Sequence, residues 1–302
     1  MVKNLLLIGL VGVGFIACSE KEPEMVETST PAPEVVRLPP LPSPNGYEAL
    51  LQACDHTRNP SEPLDTLSRA ALEAYVASHK MALQLIRTAL ETDSRVSLGG
   101  EREFSSGHDD DLEGLNRLAG LLVAQAKFFE QVVQIRRSVE TYLDVIRVGI
   151  RTANGGMHAD WLAGAAIEER GIAGMRSLLP RLSRDNIKLA LDGLAAIEAE
   201  RPSPNDMLAW DDLLSRSLHR PHFESLSADE QQQFLDDRAS VAAEWAKQLG
   251  SLRELRIRLA SRLYLQTRGK KPESLELLVP EILAEVPINP QTEAPYDISV
   301  LP

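Results

Sequence analysis

From Gly46 onward, apolar residues recur at spacings of three and four, and sustained alternation with a period of two is hard to find. That spacing stacks the apolar side chains on one face of a helix, whereas a half-buried strand needs the period of two. The body is therefore expected to be all-α: a multi-helix bundle of antiparallel helix hairpins over residues 46–268, with a short irregular C-terminal cap over 269–302. Long stretches are dominated by Ala and Leu, and only 5% of the chain is aromatic, which favours helix over sheet. With 302 residues, 43% hydrophobic and 25% charged, the chain has the material for a sizeable core.

The periodicity divides the body. A short helix is expected over 47–57, stopped by Asn59-Pro60, and a long one over 63–92 with Leu64, Leu67, Ala71, Tyr75, Leu85, Ile86 and Leu90 on or near one stripe. Residues 93–110 hold three glycines and no apolar period, so they read as the longest loop. The next forty residues carry Leu115, Leu118, Leu122, Ala126, Phe129, Val139, Leu143, Ile146 and Ile150. They form either one helix of ~60 Å or, more readily in a compact domain, a hairpin broken at Arg136-Arg137-Ser138. The stretch 138–146 resembles the second helix of a tetratricopeptide unit, with Tyr142 and Val145 inward, though the repeat spacing does not recur. Further helices are expected over 157–179 and 183–200, pairing with each other, then 206–218. Ser227 and Glu230 have capping-box spacing and open a helix to about 267, with Trp245, Leu249, Leu252, Leu255, Leu259 and Leu263 buried and Gly250 as a bend.

The first residues carry a different message. Lys3 precedes the apolar run 5–17, thirteen residues long, and then Cys18. A spanning helix needs ~20 apolar residues, so the run reads as a signal peptide over 1–17 rather than a membrane span. Phe15-Ile16-Ala17-Cys18 resembles the lipobox of bacterial lipoproteins. The resemblance implies diacylglycerol on the Cys18 thiol, cleavage before it and further acylation of its amine. Two or more acyl chains, at ~0.8 kcal/mol per buried methylene, anchor a protein durably. Ser19 after the cysteine, rather than Asp, implies the outer membrane facing the periplasm as destination. Residues 18–45 then form a tether with seven prolines, extended at ~3.1 Å per residue. The glycines at 9, 12 and 14 lie within the signal and have no strand-turn-helix context, so they make no phosphate loop. Only Cys54 remains as a second cysteine, so no intramolecular disulfide is expected once Cys18 carries lipid. Cys54 reads as a small buried hydrophobe.

Lys plus Arg number 32 against 44 Asp plus Glu, a formal net charge of −12, which speaks against nucleic acid as a partner. The nucleophile elbow, the phosphate loop and the Ser-x-x-Lys acylation motif are all missing from the mature chain. No catalytic residue, cofactor or metal ligand is therefore assigned. His219-x-x-His222, near Asp211 and Asp212, could offer two imidazoles to zinc, but Pro221 spoils the helix and a polar loop explains the pair better. His108-Asp109-Asp110-Asp111 lacks calcium-loop spacing and reads as carboxylates at a helix start. Glu168-Glu169 interrupts an Ala- and Gly-rich helix. A buried acid or base there is one reading, and solvent-facing charge is the simpler one. Trp161 and Trp210 are read as core or interhelix contacts.

The tail has Gly269, Pro272, Leu275, Leu278-Val279-Pro280, Val286-Pro287, Asn289-Pro290 and Tyr296. It resembles the C-terminal tail of the major type II secretion pseudopilins, except that Lys271 replaces an aromatic, Asn289 an Asp, and the lipobox a prepilin cleavage site. With Asn45-Gly46-Tyr47 after a proline-rich lead, nearly the whole mature chain resembles a group of planctomycete-type bacterial helical proteins. That likeness implies a helical body with a small structural cap and supplies no catalytic residues. The expectation is thus a lipid-anchored cell-envelope protein, held at the membrane through Cys18, whose helical domain contacts a protein partner or acts as a scaffold. The alternative is an envelope enzyme or a small-molecule or metal-binding protein with its site between helices. A convergent cluster of carboxylate, histidine and arginine would favour the alternative, and an exposed apolar groove the first reading.

Overall fold

The computed structural model describes residues 39–97, 106–217 and 227–298. Cys18, the signal segment, most of the tether and the pair His219 and His222 lie outside them. Among the described residues the fold is an all-α bundle of nine helices: α1 (Gly46–Asp55), α2 (Arg69–Ser78), α3 (Lys80–Leu90), α4 (Ser106–Gln131), α5 (Ile135–Ala153), α6 (His158–Leu178), α7 (Arg184–Glu200), α8 (Pro204–Ser217) and α9 (Ala228–Arg268). The only sheet among the described residues is a two-residue antiparallel ladder, β1 (Ile288–Asn289) with β2 (Ala294–Pro295).

Local signals explain several boundaries. The Ser183 hydroxyl caps α7 by accepting from Asn186 N–H. At α9, Ser227 Oγ accepts from Glu230 N–H while the Glu230 carboxylate accepts from Ser227 N–H at 2.8 Å, so two orphan amides are satisfied reciprocally. Asn45 caps α1 and ties it to the chain beyond α3, with its Oδ1 accepting from Tyr47 and Arg95 N–H and its Nδ2 donating to the Arg95 carbonyl. Arg95 in turn donates to the carbonyls of Pro39 and Pro40. The last residues of the proline-rich lead thus lie against the body instead of standing clear as a spacer.

Two expected helices differ. The continuous run over 63–92 is a 3-10 turn at Leu64–Thr66 followed by α2 and α3, which meet at His79. His79 is buried, its Nε2 accepts from Arg58 N–H at 3.1 Å, and its Nδ1 faces the Tyr75 carbonyl at 2.7 Å. This tertiary anchor outweighs the helical propensity of the run. The stripe shifts accordingly: Leu72, Ala82, Leu83, Ile86 and Ala89 are buried, and Leu64, Leu67 and Ala71 only partly so.

The forty-residue run is the expected hairpin, α4 with α5, but its turn is at 132–134 rather than 136–138. Val133 adopts φ 60° there and projects into solvent, an uncommon conformation for a β-branched residue. Ser138 is no breaker. Its buried hydroxyl donates to the Ala126 carbonyl across the hairpin at 3.1 Å, and the Arg137 guanidinium lies 4.1 Å over the Phe129 ring. Tyr142 and Val145 point inward.

α6 and α7 do not form the pair expected from their order. α6 packs chiefly on α5, and also on α9 and α4, while α7 packs on α9 and α5. One apolar cluster unites α5, α6, α7, α9 and the tail, including Ile146, Met175, Leu194, Leu255 and Leu278. A second unites α1, α3 and α4 with the other side of α5, including Leu50, Ile86, Leu118 and Val148. In the tail, Leu275, Leu278 and Leu283 are buried on α9. Arg253 donates to the Ile288 carbonyl at 2.7 Å, and the Tyr296 hydroxyl to the Gly250 carbonyl at 3.1 Å. Asn289 Oδ1 accepts from Gln291 N–H and shapes the β1–β2 turn.

The seam between α5 and α6 is tight. A Cβ on Gly164 would stand 2.5 Å from the Gly149 carbonyl oxygen, and one on Gly171 would stand 2.5 Å from Ile146. Only glycine permits that approach.

Candidate functional site

Beside that seam, α6 and α9 separate. On α6, Trp161, Ala165 and Glu168 stand at i, i+4 and i+7. On α9, Val241, Glu244, Trp245 and Gln248 stand at i, i+3, i+4 and i+7. Both sets are single helix faces, turned toward each other. Ile150 and Ala153 of α5 close one end, and Arg201, Pro202 and Met207, where α7 passes into α8, close another. The empty space between them, counted together with the open solvent at the mouth, is about 480 Å3. His158 and the exposed Leu162 also line it.

Two bulky indoles hold the walls apart. Trp245 is fixed by its Nε1–H, which donates to the Pro202 carbonyl at 2.9 Å. Trp161 is 7% exposed and packs with Ala153 and Val241, and its ring meets the His158 imidazole edge-on at 6.4 Å between centroids.

At the floor is a buried ion pair. The Glu168 side chain is 4% exposed and that of Arg201 7%, and the guanidinium Nη2 donates to Glu168 Oε2. Burial raises the Glu168 pKa, and the Arg201 charge and hydrogen bond offset part of that rise. The solvent-facing reading therefore fails for Glu168. It describes only Glu169, which is part-exposed and accepts from Arg176 at 3.1 Å. The absence of Cβ at Gly149 leaves room for the Glu168 stem, since a side chain there would meet Glu168 Cγ at 2.5 Å.

Polar atoms with no hydrogen-bond partner among the described residues collect around this cleft: Trp161 Nε1, Arg201 Nε, His158 Nε2 and Gln248 Oε1. Gln248 is 5% exposed, and its Nε2 donates to Glu244 Oε1 at 2.9 Å. That bond orients the amide and leaves its carbonyl as the unpartnered end. Each such buried atom costs about 1–3 kcal/mol while unsatisfied, and four of them belong to residues that line this one cleft. The lining has no serine, threonine, cysteine or lysine among the described residues. What it offers is apolar enclosure, two N–H donors, one amide acceptor, the His158 Nε2 that donates or accepts according to its tautomer, and an internally compensated ion pair.

The other candidate residues are dispersed. His108, in the first turn of α4, is buried with its Nε2 3.2 Å from Asp160 Oδ1. Asp160 raises the His108 pKa, and burial works against it. Asp160 Oδ2 also accepts from Met157 N–H at the start of α6. Asp109 and Asp110 are exposed in the opening of α4. Trp210 joins elements as expected, donating to the Gly155 carbonyl with Arg95 4.9 Å over its ring. Asp212 pairs with Arg238 at 2.5 Å. The half-buried Cys54 is a free thiol against Gly114, and burial pushes its pKa up to about 12. Among the described residues no group of three His, Cys, Asp or Glu could hold a metal ion, and no helix is long and apolar enough to cross a membrane. Glu168 was visible in the sequence as a charge within a Gly/Ala helix, whereas Arg201 and Gln248 carried no such signal. Compared with protein-family models, curated proteins and solved structures, the chain shows no match.

Proposed function

We propose that this chain is a lipid-anchored cell-envelope protein, held through Cys18 at the outer membrane and facing the periplasm, whose helical domain binds a small molecule between α6 and α9. The lipobox-like Phe15-Ile16-Ala17-Cys18 supports the anchor. The observation that carries the binding role is the convergence of Glu168, Arg201 and His158 with unpartnered donors and an acceptor in one apolar cleft. Enclosed apolar walls with a few placed polar groups are what small-molecule sites are made of. A protein-docking role has less behind it. The exposed large apolar side chains among the described residues, such as Met81, Val133, Leu162, Leu235 and Leu277, each belong to a different element.

Cys18→Ala is expected to abolish lipid labelling and release the protein from membranes in its own host, and unchanged fractionation refutes the anchor. Native mass spectrometry of the Cys18→Ala protein from that host is expected to show a bound small molecule. Leu162→Trp, which adds bulk at the cleft mouth, is expected to reduce it. An adduct-free spectrum, or an adduct indifferent to Leu162→Trp, refutes the binding role.

A further inference from the structure

The cleft's unused hydrogen-bonding capacity narrows the chemistry of what it can hold. This inference rests on the binding role proposed above and concerns the class of ligand. We infer that the cleft takes an uncharged, mainly apolar small molecule carrying one head group that both accepts and donates hydrogen bonds, as a primary amide does.

Charge balance comes first. The two most buried ionic groups of the lining, Glu168 and Arg201, are paired with each other. An anionic ligand would have to take Arg201 from Glu168 and would leave that carboxylate buried and uncompensated, and a cationic ligand would do the reverse to Arg201. Removing one partner of a buried pair is among the most unfavourable changes a protein interior can undergo. Glu244, the remaining acid of the lining, is already occupied, accepting from Lys247 at 3.1 Å and from Gln248. Apart from the His158 imidazole, whose Nε2 is unpartnered and donates or accepts according to its tautomer, the lining has no group left over to pair with a net charge on the ligand.

Hydrogen-bond valence comes second. Trp161 Nε1–H and Arg201 Nε–H can only donate, and neither has a partner among the described residues. Gln248 Oε1 can only accept, and it too is unpartnered. A head group that satisfies both kinds needs an acceptor and a donor of its own, which a ketone, an ether or a hydrocarbon lacks in part or in full. The rest of the molecule meets Ile150, Ala153, Met207, Val241 and the faces of two indoles, surfaces that reward apolar bulk.

The chain has three tryptophans, and two of them line the cleft, so the indole N–H signals in a 15N–1H spectrum report on it. Using the full chain with Cys18→Ala, four probes of similar length are titrated: hexanamide, hexanoate, hexylammonium and hexane. Hexanamide is expected to move the Trp161 and Trp245 signals, to leave that of Trp210 in place, and to bind at least about fivefold more tightly than the other three. Gln248→Leu and Trp161→Phe are each expected to weaken hexanamide about fivefold more than they weaken hexane, the worth of one neutral hydrogen bond. The Trp210 signal confirms that each variant is folded. Tighter binding of hexanoate, hexylammonium or hexane, or variants that bind hexanamide as the parent does, overturns the inferred class while the cleft remains a binding site. If none of the four moves either cleft indole, the class and the binding role fall together.

Discussion

Along α6, the face turned to α5 and the face turned to α9 meet their neighbours in opposite ways. Toward α5 the helix presents Gly164 and Gly171, and the two backbones come so close that a single added carbon would collide. Toward α9 it presents Trp161 and Ala165, with Glu168, whose stem also lies against Gly149 of α5, at the border, and the helices are held apart around a cleft. The first face gains contact at close-packed density. The second accepts a buried ion pair and unpartnered polar atoms, features that a purely structural interface has no need to tolerate. The contrast teaches that packing economy and binding capacity lie on adjoining stripes of one helix, with Glu168 at the border between them.

Breaking the ion pair tests the costly side and has the largest expected effect. Arg201→Leu leaves the Glu168 carboxylate buried and alone, and a loss of about 3–5 kcal/mol in urea unfolding is expected. Glu168→Leu with Arg201→Leu is expected to recover most of that loss. If the double variant is as unstable as the single one, the pair contributes packing rather than compensated charge. The economical side comes next. Gly164→Ala drives a methyl toward the Gly149 carbonyl, and a net loss of about 1–2 kcal/mol is expected even after the helix-propensity gain of Ala over Gly. That corresponds to a fall in Tm of several degrees.

The side of α5 near Arg87 of α3 provides a pH test. Asp144 on α5 has its pKa pushed up to about 6 by burial, against the opposing pull of Arg147 and Arg87. Its unfolded value is near 3.9, so between those pH values the folded chain binds the extra proton and stability falls as pH rises. Asp144→Asn is expected to remove that slope between about pH 4 and 6 and to stabilise the chain at pH 7. The gain is on the order of 1 kcal/mol once the 30% exposure of the side chain is allowed for. An unchanged slope in thermal unfolding across that range would assign the pH dependence elsewhere. The smallest effect belongs to the cleft mouth, where Leu162→Trp is expected to change stability by less than about 0.5 kcal/mol. A loss as large as that of Gly164→Ala would mean that the two faces are packed alike.

Much of the fold was legible because helical periodicity is a local property. Ser183, Ser227 and Glu230 marked helix starts through neighbours only three residues away, and the apolar stripe of α9 appeared in place from Leu249 to Leu263. Errors arose where a distant group intervened. His79 divides α2 from α3 by bonding to Arg58, which is 21 residues distant, and Ser138 is a cross-hairpin anchor whose acceptor at Ala126 no local rule supplies. The cleft was half visible for the same reason. Glu168 stood out as a charge among small residues, but its partner is 33 residues away and is delivered by the path of α7. Gln248 looks like any surface amide until α9 is laid against α6.

The 41-residue α9 carries the cleft wall at Glu244 to Gln248 and, two residues further on, the Gly250 carbonyl to which Tyr296 bonds. One rod thus serves as both a jaw of the cleft and the mast to which the tail is lashed. Shortening the chain before Tyr296 would slacken the rod next to its jaw, so the far end of the polypeptide holds leverage over an opening that it does not itself line.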